Sequence, residues 1–239
     1  MLFRSEAAIA RITKPVVVCC LGAPPRTVGS ARWVATLEDA AESTVAILRG
    51  DAWTPRAFGD FTDVTSRLAR AHAPRGPGIL GLYTGGTLAH EAALVLEPLV
   101  GRDAYRLVDL GDDEFTRGRP HPMIDAEARA ARVREAGCAP DVGVLLLDLV
   151  LGRAVHPDPA APLAAAISDA RRVAGAAGRA FLAVASVVGT DGDPQDLRRQ
   201  IATLEAAGVE VLPSNAQAAR FAALLTRPEL GPRLLGGPR

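Results

Sequence analysis

Residues 78–91 read GILGLYTGGTLAHE: an apolar run, a Thr-Gly-Gly, then residues that favour helix. A strand that turns on two glycines straight into a helix is the start of a βα unit, and the chain repeats that unit downstream. Strands are predicted over 79–83, 105–110, 142–151, 180–188 and 209–212. Helices are predicted over 86–96 (ended by Pro98), 126–136 (stopped by Gly137), 160–177, 194–207 and 215–225. Pro194 falls in a first turn, Gly208 just past an end, and Ser214 at a cap position. The run 142–151 is almost unbroken in its apolarity, as in a strand covered on both faces. Five such alternations predict an α/β fold: a flavodoxin-like parallel sheet, order 2-1-3-4-5, with helices on both faces.

Residues 1–75 read as a short, incomplete α/β segment. A strand over 14–21 leads to a Pro/Gly-rich loop over 22–32, a very short strand over 33–36 and an amphipathic helix over 37–48. Residues 49–77, with Trp53, Pro55, Phe58 and Pro74, read as an irregular connection. One strand and one helix cannot bury a core alone, so this segment is expected to dock elsewhere or to complete itself on another chain. The organisation is therefore 1–75, then an α/β domain over 76–225, then a Pro/Gly-rich tail over 226–239 that frays.

The chain has 239 residues, with 27 Lys+Arg against 27 Asp+Glu. Zero net charge argues against nucleic acid or an anionic membrane as the main partner. No run approaches the roughly 20 apolar residues of a membrane span, and no signal peptide is expected at the N-terminus. Cys19, Cys20 and Cys138 are the three cysteines; the adjacent pair reads as buried thiols and not a disulfide, in a reducing, cytoplasmic setting, without a metal-binding spacing.

In an open parallel sheet, ligands bind beyond the carboxyl ends of the strands at the switch point. Three loops meet there. Thr84-Gly85-Gly86-Thr87 joins close backbone approach to the unpaired N–H groups of a helix start, which suits phosphate or carboxylate. A tight βα turn with no ligand explains the glycines equally well. The loop 111–125 carries Arg117 and Arg119, able to fork onto an anion, and His121 held between Pro120 and Pro122, suited to acid–base work. A salt-bridged surface loop is the alternative. Asp112 and Asp113 could hold Mg2+ but serve as well for capping, and Asp125 reads as a helix cap. Arg153 faces the same crevice from the third loop, where His156 reads as turn chemistry and His90 as a surface residue.

Several stretches, GLYTGGTLAHEA, VDLGDDEFTRGRPHPMID, VLLLDLVLG and VVGTDGDPQDLRRQIATLEAAGVEVLPSNAQAA, together resemble the carboxyl-terminal part of the FdrA family. That family belongs to the succinyl-CoA synthetase (acid–thiol ligase) superfamily. KPVVVCCLG and WVATLEDAAE extend the resemblance loosely into the first segment. The resemblance implies that 1–75 is a truncated α-subunit-like ligase segment and 76–225 a β-subunit-like domain. It also implies that the CoA-binding Rossmann domain is missing. TGGTLA is similar to the synthetase helix whose amino end holds the phosphohistidine, so Gly85, Gly86 and Thr87 inherit that role. The synthetases' Gly-His-Ala-Gly stretch, however, is replaced here by APPRTVGSARWV, with no histidine between Lys14 and Asp60.

The resulting expectation is an enzyme subunit that binds acyl or carbamoyl phosphate, of the oxamate carbamoyltransferase type in purine or allantoin breakdown. Thr84, Gly85, Gly86, Thr87 and Arg153 would bind the phosphate, with Arg117, Arg119 and His121 as catalytic groups. No cofactor is covalently held, and CoA or Mg2+ would enter only with a partner chain. The partners expected are a small anionic substrate and other subunits, in a homo-oligomer or hetero-complex. The alternatives are a non-catalytic assembly subunit, or an acid–thiol ligase that needs a separate CoA-binding chain.

Overall fold

The computed structural model describes residues 8, 9, 11–71 and 78–236, which form two compact units dividing between Ala57 and Phe58. The boundary expected near residue 75 lies outside the described residues. The first unit is more than one strand and one helix. Strands β1 (Val16–Cys19), β2 (Arg26–Val28) and β3 (Ala31–Val34) form a sheet in the order β1-β3-β2. The loop expected over 22–32 thus holds a hairpin arm, turned through Gly29 at φ 59°. Arg26 lies opposite Trp33 across that arm, with its guanidinium carbon 4.1 Å from the ring centre. Helix α1 (Leu37–Arg49) follows, capped by the Thr36 hydroxyl accepting from the Asp39 N–H at 3.0 Å.

The second unit opens with helix α2 (Phe61–Arg70), inside the stretch expected to be irregular. Asp60 caps it, and Arg67 pairs with Asp63 and, at 2.9 Å, with Glu210. Strands β4 (Gly78–Tyr83), β5 (Tyr105–Asp109), β6 (Val142–Val150), β7 (Leu182–Val188) and β8 (Val209–Leu212) form one parallel sheet. Its order, β5-β4-β6-β7-β8, is 2-1-3-4-5 along the chain, as expected. Every residue of the central β6 except Val150 is buried.

The crossovers are helix α3 (Gly86–Val100), the single turn α4 (Asp113–Thr116), α5 (Glu127–Cys138), α6 (Ala160–Ala176) and α7 (Leu197–Ala206), followed by α8 (Asn215–Thr226) and α9 (Gly231–Leu235). Helix α3 packs with α8, while α5 packs with α6 and α6 with α7, giving one helical layer per face. On the second face, Leu145, Leu147 and Leu149 of β6 meet Val133 of α5 and Leu163 and Ile167 of α6. Each buried leucine there contributes roughly 1.5–3 kcal/mol.

Four local readings change. Helix α3 runs past Pro98 to Val100; the proline falls in the last turn, where losing one N–H donor costs little. Pro194 lies before α7, which starts at Leu197 after Asp196. The tail contains α9, with Leu234 fully buried, because one leucine found an apolar site. Cys19 and Cys20 are half-buried where full burial was expected, and Cys138 is exposed.

Gly137 lies within α5, and its role is packing rather than termination. A Cβ there would sit 2.5 Å from Cα and 2.7 Å from the carbonyl oxygen of Ala170 on α6. Gly137→Ala must push two helices apart and is expected to cost about 1–3 kcal/mol. A thermal melt should show a loss of roughly 3–10 °C; an unchanged midpoint would refute the close-approach role.

Candidate functional site

The site is built on a buried polar frame beneath the glycine turn. Asp148, 1% exposed, sits on β6 inside the apolar core. It accepts from the Thr84 N–H (3.0 Å) and from the Thr84 hydroxyl (2.5 Å). Arg129 of α5, 2% exposed, crosses to it and donates through Nη2 to Asp148 Oδ1 (2.8 Å), the Asp148 carbonyl (2.5 Å) and the Leu82 carbonyl (2.8 Å). Burial pulls the Arg129 guanidinium below the usual arginine range, while the Asp148 charge opposes that shift. Thr84 therefore spends its donors on Asp148. This corrects the expectation that its hydroxyl serves a ligand; at 2% exposure it is an anchor of the turn.

On the other side of β4, the Tyr83 hydroxyl donates to Asn215 Oδ1 (3.0 Å). Asn215 in turn donates to Glu91 (2.8 Å) and to the Leu88 carbonyl (2.9 Å), which ties α8 to the first turns of α3. Burial first, then the Asp148 and Glu91 charges, raise the Tyr83 phenol well above its ordinary range, so it stays a neutral donor.

Between these frames lies the start of α3. Its cap residue, Gly85, makes no side-chain hydrogen bond. Among the described residues, every other helix of eight or more residues in this unit has a side-chain acceptor at its first turn. The acceptors are Asp60 for α2, Asp125 for α5, Gln200 for α6, Asp196 for α7 and Ser214 for α8. The first N–H groups of the 15-residue α3 are the exception, and Gly86 and Thr87 are exposed. Asp109, at the end of β5, is close by: its Oδ1 accepts from the Gly111 N–H at 2.8 Å. A Cβ on Gly86 would lie 2.9 Å from its Oδ2.

The loop after β5 folds back over this point. A Cβ on Gly111 would lie 2.7 Å from the Thr84 carbonyl oxygen and 2.8 Å from His121 Nε2. His121 Nδ1 accepts from the Met123 N–H at 3.2 Å, which leaves the proton of the neutral ring on Nε2. Met123 also accepts from the His156 N–H at 2.7 Å, joining this loop to the one after β6. The 152–156 loop is held by Gln195, whose Nε2 donates to the carbonyls of Gly152 (2.6 Å) and His156 (3.2 Å).

The expected residues thus divide. Gly85, Gly86 and His121 gather at one point beyond β4 and β5, joined there by Asp109, Gly111 and Met123. Arg117, Arg119 and Arg153 are exposed and make no side-chain hydrogen bond or ion pair among the described residues. Arg119 instead lines a cleft against α5 whose lining includes neither the glycine turn nor His121. Asp112 caps α4 through the Glu114 N–H, and Asp125 accepts from the Glu127 N–H at 2.9 Å. Among the described residues no three His, Cys, Asp or Glu side chains gather as a metal site requires. His156 Nδ1 accepts from the Asp158 N–H, and His90 is exposed. Asp148 and Arg129 are the members that sequence reasoning missed. Their signal was a single carboxylate inside VLLLDLVLG and an arginine in register with Val133 and Ala136 on the buried face of α5.

A doubly wound sheet of this order, with helices on both faces, defines a flavodoxin-like α/β domain. The chain belongs to the CoA-ligase family, whose model matches residues 82–225. It is also similar to the uncharacterized protein YahF of Escherichia coli strain K12, 36% identical over 168 residues. That match covers 62% of this chain and 32% of YahF, so the chain spans about a third of the length of this relative. Among the described residues no helix is long and apolar enough to cross a membrane.

Proposed function

We propose that this chain is an FdrA-type subunit of acid–thiol ligase character, whose glycine turn holds the phosphate of an acyl or carbamoyl phosphate. The observation that carries the reading is the bare first turn of α3 at the switch point, in a chain of the CoA-ligase family. Gly85, Gly86 and Thr87 would present N–H groups and the positive end of the helix to the phosphate. Arg117 and Arg153 would supply the counter-charge, and His121 Nε2 would orient or protonate the leaving oxygen. In the carbamoyl case, the oxamate nitrogen attacks the carbamoyl carbon and the C–O bond to phosphate breaks. The nitrogen loses its proton and inorganic phosphate leaves. CoA and Mg2+ are assigned to a partner chain, since the Gly-x-Gly-x-x-Gly string at residues 76–81 leads into strand β4, where a dinucleotide fingerprint follows a strand and opens a helix.

A second reading, an assembly subunit without turnover, is favoured by Asp109, whose carboxylate already lies beside Gly86. One titration separates the two. Calorimetry with inorganic phosphate is expected to give a Kd of about 1 mM or tighter. Product is expected from carbamoyl phosphate plus oxamate once candidate partner chains are added. Heatless titrations together with silence in every mixture would establish the assembly reading. Thioester formation from ATP, CoA and a short acid by the isolated chain would overturn the assignment of CoA to a partner.

A further inference from the structure

We propose that the cleft between the 110–125 loop and α5 is a binding site for a small monocarboxylic acid with an apolar body, separate from the glycine turn. The cleft has a volume of about 450 Å³, within the range of small-molecule sites. Its walls are apolar and stiff: Phe115 on α4 faces the prolines Pro120 and Pro122, whose rings fix the loop backbone. Arg129 also lines it. All of that residue's hydrogen bonds leave from Nη2, and its Nε is buried without a partner. A buried, unsatisfied N–H on a charged group is costly, and it leaves this guanidinium short of acceptors behind the inner wall of the cleft.

Charge selects the class of acid. Arg119 and Arg132 line the cleft together with Asp125 and Glu135, while the charge of Arg129 is already met by Asp148, so cations and anions balance. Arg119 has no partner among the described residues. Arg132 lies over the Phe115 ring at 5.5 Å and reaches Glu135 only at 4.0 Å. Asp125 is engaged at the start of α5. A balanced wall that offers the Arg119 guanidinium beside two carboxylates suits a monoanion and disfavours a phosphate dianion. A carboxylate seated on guanidinium groups, with its chain against Phe115 and the prolines, satisfies both the charge and the walls. The cleft communicates with the glycine turn through Arg129 and Asp148, which holds both donors of Thr84.

The inference names the acid of the ligase-type reading, but its test does not depend on phosphate binding. Acetate, butyrate and hexanoate are titrated into the full chain, with and without saturating inorganic phosphate. Hexanoate is expected to bind at least about tenfold tighter than acetate, because each added methylene is buried against the apolar wall. Arg119→Ala should weaken all three acids to a similar degree. Phe115→Ala, with folding checked by circular dichroism, should flatten the dependence on chain length, and phosphate should not displace hexanoate. Equal affinity for acetate and hexanoate, no effect of Arg119→Ala, or displacement by phosphate would each overturn the proposal. Binding of hexanoate without any binding of phosphate would sustain it and refute the glycine-turn reading alone.

Discussion

Arg129→Ala is expected to lower the melting temperature by on the order of 10 °C. The substitution leaves the Asp148 carboxylate in the core with its cation gone. Removing one partner of a buried pair costs about 3–5 kcal/mol, far more than the pair itself contributes. At ~2–4 °C per kcal/mol for a domain of this size, the shift is unmistakable in a calorimetric scan. The control is the double variant Arg129→Met with Asp148→Asn. It removes both charges, keeps an acceptor for Thr84, and should recover much of the loss. Losses that simply add, within about 0.5 kcal/mol, would show that the two residues are not coupled. The exposed pairs make the comparison sharp. Arg172–Asp169, at 3.1 Å on the surface of α6, should contribute nothing a melt can resolve.

Gly86→Val is expected to weaken binding of inorganic phosphate by at least ~tenfold while leaving the fold nearly intact. A Cβ at this position meets Asp109 Oδ2 at 2.9 Å, so the carboxylate must move. Its hydrogen bond from the Gly111 N–H is the main thing lost, about 1 kcal/mol. Valine in the first turn of α3 also fills the backbone approach that a phosphate would need. Paired titrations and melts of wild type and variant check both halves. Equal phosphate affinity in the two proteins would remove the glycine turn from any account of function.

Several features were open to sequence reasoning for physical reasons that operate locally. The strand at 142–150 carries almost nothing but apolar residues, and such a strand belongs in the middle of a parallel sheet. Ser214 ahead of Asn215 is a cap whatever surrounds it, and its hydroxyl does accept from the Gln217 N–H. The βα alternation, combined with right-handed crossovers, then left few strand orders. Local signals failed where a distant partner outweighed them. Pro194 marks a helix start on paper. The helix begins at Leu197 instead, because Gln195 is drawn off to bind Gly152 and His156. The hairpin arm of the first unit was hidden because strands of three and four residues show no alternation to read.

The candidate site divides along the same line. From the sequence alone came the glycine turn, its place at the switch point, and the loops that meet there, since these follow from strand order and the chemistry of short motifs. Tertiary structure alone decided which donors remain for a ligand. Thr84 is consumed by Asp148, Arg129 is turned inward to meet that charge, and Arg119 is directed to a different cleft. Those choices depend on which buried charges must be neutralised across the sheet. That is a three-dimensional balance of desolvation and pairing, and residue order along one strand does not encode it.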